Sequence, residues 1–221
     1  DVCSSDLFVP AFVPGWTINI YGPAETNEEL AEKISGQMKA PYFPVEVETW
    51  LADIKYHATG AQPFDVGPAQ VQSFAVHHPG TTFGYRVEVD GKRIVYAPDN
   101  ELSFIRQSID DRKAEFDDEE KELLEAMKEE ERWKSIAFMC DSDVLIHDAQ
   151  YTEVDYLRKR GWGHSCYRDT VASAVDAGAR SLYLFSHDPN YDDDALQVVE
   201  EAAQRIAADR KSNMICFVAR E

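Results

Sequence analysis

Between Val144 and Val218 short apolar runs alternate with segments of helical spacing, and this alternation restricts the fold more than any other feature of the 221-residue chain. Val144-Leu145-Ile146, Leu182–Phe185 and Met214–Val218 read as buried strands. Between them lie a short helix opened by Thr152 and a helix marked by Val171, Ala174 and Val175 and closed by Gly178. A last helix begins at Asp192 and keeps Leu196, Val199, Ala203 and Ile206 on one face, with Asp193 and Asp194 at the positive end of its dipole. Strands that alternate with helices in this way form a parallel sheet, so the fold class is α/β.

Upstream the pattern changes. Trp16–Tyr21 reads as a strand ended by Gly22-Pro23. Thr26 with Glu29 then caps a helix carrying Leu30, Ile34 and Met38, which Pro41 and Pro44 stop. Ala52–His57 and Val71–Val76 are short strand candidates. Phe83, Tyr85, Val87 and Val89 alternate with polar or small residues, and Asp90-Gly91 turns the chain back into Ile94-Val95-Tyr96 as a hairpin. From Glu101 to Trp133 the chain is charged and helical, with Ile105 and Ile109 on one face and Asp117 and Glu120 capping a second helix. Ser108–Glu131 holds twelve acidic and four basic residues, which reads as a solvated helical insertion. One domain is expected over residues 8–221, with the insertion at 101–133. Asp1 to Leu7 (DVCSSDL) reads instead as the translated end of a sequencing adapter and is set apart from the fold, as a terminal scar would be.

Composition removes several function classes. A 44% hydrophobic chain with 11% aromatic residues can bury a core, and no apolar run approaches the roughly 18 residues of a spanning helix. A formal charge of −19, or −17 without Asp1 and Asp6, repels polyanions and argues against a long nucleic-acid interface. Cys3, Cys140, Cys166 and Cys216 lack the close spacing of a zinc knuckle or a disulfide frame, which points to a reduced, cytoplasmic protein.

The chemistry gathers where strands end. Val71–Val76 runs into His77-His78-Pro79-Gly80, Ile94–Tyr96 into Ala97-Pro98-Asp99, Val144–Ile146 into His147-Asp148, and Leu182–Phe185 into Ser186-His187-Asp188. Carboxyl ends of strands are where α/β folds build sites, and His and Asp are ligands that zinc, manganese and iron accept. Each residue alone has a plainer reading: a hydrogen-bonded histidine, a turn aspartate at Asp99, or His164 standing before a helix capped by Ser165. His57, inside a strand pattern, is read as structural. Four strand ends with potential ligands in a chain of six histidines favour a metal site.

The runs HPGTTFGYRVEVDGKRIVYAPDNE (His78–Glu101), VLIHDAQYT (Val144–Thr152), GWGHS and LFSHDPNYDDDAL resemble the metallo-β-lactamase fold hydrolases. The likeness is greatest to the phosphodiesterase branch related to ribonuclease Z and extends from Phe8 to Glu221. It implies a four-layer αββα sandwich with two divalent metal ions at one edge, zinc first and manganese or iron as alternatives. Matched motif by motif, His78 would bind one metal, His187 the other, and Asp99 would bridge them. His164 would act on the phosphoryl group or its leaving oxygen, and Asp148 would orient the site from behind. His77 is the less fitting partner of its pair, because the ligand stands directly before Pro-Gly. The family's first metal motif, HxHxDH, occurs nowhere in this chain, so the resemblance implies a sandwich lacking its N-terminal strands and that motif.

The implied activity of the intact protein is metal-assisted hydrolysis of a small phosphodiester, with water activated between the metals and His164 assisting the departing oxygen. The chain as it stands is expected to be inactive and to expose an apolar sheet face. A thioester or lactone hydrolase on the same fold is one alternative, and a metal-free binding module that uses the acidic helices is another. Those helices could equally cap the site or join a homodimer.

Overall fold

Period-two alternation places the strands of the larger unit, and the two faces of its sheet then explain where the helices go. The computed structural model describes residues 9–39, 46–60 and 62–220. They form two compact units that divide between Pro63 and Phe64, inside the stretch expected as one domain. The adapter-like residues 1–7 and the helix-stopping Pro41 and Pro44 lie outside the described residues.

In the first unit β1 (Thr17–Pro23) and β2 (Asp53–Thr59) pair in parallel from Thr17↔Asp53 to Pro23↔Thr59, and α1 (Asn27–Gln37) connects them. Thr26 caps α1 by accepting from the Glu29 amide, while the Glu29 carboxylate reaches back to the amide of Glu25, one residue before the expected partner. Ala11, Met38 and Trp50 form the small core, with Ile18, Ile20, Ile34, Val47 and Ile54 packed on it. His57 lies on the Tyr21 ring with centroids 4.5 Å apart and bonds Asn19 Oδ1 at 2.8 Å.

The second unit is a seven-stranded sheet in sequence order: β3 (Phe64–Val66), β4 (Ala69–Ala75), β5 (Phe83–Val89), β6 (Lys92–Ala97), β7 (Val144–Asp148), β8 (Ser181–Phe185) and β9 (Ile215–Val218). The pairs from β3 to β6 are antiparallel and those from β6 to β9 are parallel. Asp90 and Gly91 close the β5–β6 hairpin with φ of 51° and 71°, the left-handed pair that a two-residue turn needs. β3 was not foreseen. Its three residues are too few to show a period.

Helices α2 (Phe104–Asp111) and α3 (Asp118–Met139) join β6 to β7, α4 (Glu153–Arg158) and α5 (Tyr167–Asp176) join β7 to β8, and α6 (Asp193–Asp209) joins β8 to β9. The expected capping box at Asp117 and Glu120 forms at the start of α3. That helix runs past Trp133, however, and buries Ile136 and Met139 against the sheet, so only its first part is a solvated arm. Gly84 allows this docking. A Cβ there would meet the Phe74 ring at 2.3 Å, and Phe74 stacks on Phe138 of α3.

One face of the sheet carries Val95, Leu145, Leu182 and Cys216 in register, all fully buried under Val171 and Ala174 of α5 and Val199 and Ala203 of α6. Each large apolar side chain buried there stabilises the unit by roughly 1.5–3 kcal/mol. The opposite face carries Tyr96, Ile146, Tyr183 and Phe217 in register. There Tyr96, Phe185, Ile215 and Phe217 stay 36–56% exposed. Among the described residues no helix is long and apolar enough to cross a membrane.

Candidate metal centre

Because β6, β7 and β8 run in parallel, their carboxyl ends fall at one edge of the sheet, and the residues after them face a common space. His78 follows β4, Asp99 follows β6, and His164 stands in the loop between α4 and α5. Their ligand atoms all lie within 4.8 Å of one another, and all three side chains are partly accessible. Two imidazoles and a carboxylate suit a divalent ion of the zinc, manganese and iron group. The donor chemistry therefore fits the implied metal. His164, to which the resemblance gives a role toward the phosphoryl group or its leaving oxygen, shares this space with the two expected ligands; its ring centroid is 5.3 Å from that of His78.

Asp148 lies directly behind. It is fully buried at the end of β7 and accepts four hydrogen bonds: Oδ2 from His164 Nδ1 at 2.6 Å and from the Asn100 amide at 3.1 Å, and Oδ1 from the amides of Gln150 and Ser165, each at 3.1 Å. Burial raises the Asp148 carboxyl above the ordinary aspartate value. Burial also works against a charged His164, but the hydrogen bond and charge of Asp148, backed by Asp99 and Glu101, outweigh it and raise the imidazole pKa. Nδ1 is thus committed to Asp148, and Nε2 is the nitrogen left for chemistry. The Tyr151 ring stands edge-on to the His164 imidazole, with centroids 6.0 Å apart.

The loop that carries His164 is pinned from two sides. Gly163 has φ of 92°, and a Cβ there would meet His78 Cδ2 and Pro79 Cδ at 2.5 Å, so no other residue lets the loop approach this closely. Below it the Glu101 carboxylate is 1% exposed and accepts from the Gly161 amide, the Gly163 amide and the Tyr156 hydroxyl, each at 2.9 Å. Sequence reasoning missed Glu101. Its position two residues after Asp99 was visible, but a buried carboxylate serving loop amides has no pattern of its own. Asn100 was missed as well; its side chain bonds the His77 amide and His147 Nε2, while its own amide bonds Asp148.

The remaining histidines separate by environment. His147 is 1% exposed, with Nδ1 donating to the Asp148 carbonyl at 2.8 Å, and burial lowers its pKa, so it braces the site as a neutral imidazole. His77 points to Glu131, with Nε2 3.9 Å from its carboxylate. His187 lies outside the group formed by His78, Asp99 and His164. Burial lowers its pKa, and its Nε2 is buried without a hydrogen-bond partner among the described residues. The turn that delivers it places Ser186 at φ of 60°, a strained conformation of the kind found at functional sites. Ser165 does not cap α5, whose cap is Cys166; its hydroxyl instead bonds the Asn100 carbonyl and receives the Leu102 amide.

No protein-family model matches this chain. Over 70 residues, 32% of this chain and 22% of the relative, it is 30% identical to ribonuclease Z of Haloferax volcanii. Among solved structures, the metallo-β-lactamase fold protein YhfI of Bacillus subtilis superposes with a TM-score of 0.59 at 18% identity, over 93% of this chain and 63% of that one. A diphosphatase of the PhnP family gives 0.55 at 14% identity over 98% and 63%, and the short form of human tRNase Z gives 0.53 at 16% over 100% and 69%. The chain thus spans less than two thirds of the length of ribonuclease Z, YhfI and the diphosphatase.

Proposed function

We propose, from the metallo-β-lactamase fold that this chain has, that the intact protein is a metal-dependent hydrolase of a small phosphodiester. The observation that carries this reading is the convergence of His78, Asp99 and His164 within 4.8 Å, with buried Asp148 bonded to the last. His78 and Asp99 would hold one ion, and Asp99 and His187 would contribute to a second together with ligands beyond these residues. Divalent ions bound there would lower the pKa of a water and neutralise charge on the phosphoryl oxygens.

The chain's own groups do the rest. Asp148 holds the His164 Nδ1–H, which turns Nε2 toward the bound ester. A protonated His164 donates from Nε2 to the departing oxygen, so the leaving group departs as an alcohol; such acid assistance contributes roughly 10²–10⁴-fold. Asp99 is the only carboxylate of the three converging groups, and it also lies 3.9 Å from His164 Nδ1, adding to the field that favours the imidazolium. Ribonuclease Z and tRNase Z are named for RNA substrates, but the formal charge of −19 here favours a small ester over a long polyanion.

Hydrolysis of bis-p-nitrophenyl phosphate by the natural full-length product, with and without added zinc or manganese, tests the reading. Metal-dependent turnover that falls at least 100-fold in His164→Ala supports it. Turnover of thioesters or lactones with none of the diester overturns it. The 221 residues alone are expected to show no turnover, because three or four donors cannot hold two ions in catalytic geometry.

A further inference from the structure

Beside the candidate metal centre lies a cavity of about 320 Å³, lined by Val76, His77, His78, Pro79, Glu101, Phe104, Gly161 and Gly163. Its size falls at the lower end of small-molecule sites. We infer that it is a subsite for a flat, uncharged, apolar group of the substrate, an aromatic or similarly planar ester group joined to the phosphoryl group held at the metal centre. This rests on the metal-hydrolase reading only for the position of the phosphoryl group.

The His78 imidazole belongs to both places, facing the metal group and lining the cavity. A group in the cavity is therefore adjacent to one attached at the metal centre. The other walls are flat. Phe104, the first residue of α2, stays 43% exposed, so its ring is presented rather than buried. Gly161 and Gly163 offer backbone without side chains, and a Cβ at Gly161 would touch Phe104 Cε2 at 3.8 Å. Pro79 lines it beside His78.

Charge decides the chemistry of the occupant. No lysine or arginine lines the cavity, so it does not hold the phosphoryl group itself. The one carboxylate in its floor, Glu101, already accepts three hydrogen bonds. An anionic group would lie against that carboxylate, and a hydroxyl-rich group would find its best acceptor engaged. An apolar ring displaces water at no such cost and can stack on Phe104.

The test is nuclear magnetic resonance titration of the zinc-loaded 221-residue chain with phenylphosphonate, methylphosphonate and benzyl alcohol. Phenylphosphonate is expected to bind about tenfold tighter than methylphosphonate and to shift Phe104, Gly161 and Gly163. Phe104→Ala should reduce that preference below threefold and leave methylphosphonate unchanged, while Phe104→Trp keeps it. Equal affinities for the two phosphonates in the unaltered chain overturn the inference. If neither phosphonate binds while benzyl alcohol still shifts Phe104 and Gly161, the subsite stands and the metal-hydrolase reading fails. If benzyl alcohol shifts neither residue, the subsite is refuted whatever the phosphonates do.

Discussion

Glu101 sits at the junction of the Asp99 turn and the His164 loop, and removing its carboxylate tests whether that junction holds the site together. In Glu101→Ala three donors lose their acceptor. Gly161 is exposed and can turn to water, but Gly163 and Tyr156 are buried. An orphaned buried donor costs about 1–3 kcal/mol, so two of them come to about 2–6 kcal/mol, with relief from burying a charge bringing the expected loss to the lower half of that range. Glu101→Gln keeps one acceptor oxygen and turns an amide N–H toward a donor, for a loss of about 1–2 kcal/mol. Urea unfolding of the second unit reads the loss as a shift in midpoint at constant slope. Hydrogen exchange at the Gly163 amide should accelerate by at least tenfold in both variants and leave the amides of β5 unchanged. A Glu101→Ala protein within 0.5 kcal/mol of the parent, with Gly163 still protected, would refute the reasoning.

Other perturbations address neighbouring parts of the same account. Gly163→Ala forces a Cβ into His78 and Pro79 at 2.5 Å and a left-handed φ onto alanine, so it should cost about 1–3 kcal/mol and weaken zinc binding at least tenfold by calorimetry. On the proposed hydrolase reading, Asp148→Asn frees His164 Nδ1 and should lower diester turnover by roughly 10²–10⁴-fold with little change in KM. Asp155 is held below the ordinary 3.8 by hydrogen bonds from the Thr152 and Tyr191 hydroxyls, so its folded pKa is depressed. Its contribution is present above 3.8 and is lost as pH falls through the lower folded value. Asp155→Asn should accordingly flatten the fall of the urea midpoint below that pH, and an unchanged slope would exclude Asp155 as a source of acid sensitivity.

Where local physics sets an element, the sequence shows it. Alternation marked β5 over the same residues, Asp90-Gly91 marked its hairpin, and the Asp117 and Glu120 box marked the start of α3. The site was legible as an order of strand ends, because parallel strands must bring their carboxyl ends to one edge. Which side chains then meet was not legible. His147 stood near a strand end just as His78 did, yet it lies within β7 and is buried, bonded to Asn100 and to the Asp148 carbonyl. The acidic segment misled in part: charge described its first turns, whereas Ile136 and Met139, beyond the charged run, decide that it docks.

Cobalt(II) titration of the 221-residue chain, followed by visible absorption, bears most directly on the claim that His78 and Asp99 hold a metal ion beside His164. The account predicts uptake of one equivalent with a tetrahedral spectrum, lost in His78→Ala and in Asp99→Asn and retained in His57→Ala. No uptake, or a spectrum that survives both substitutions at the centre, would contradict it.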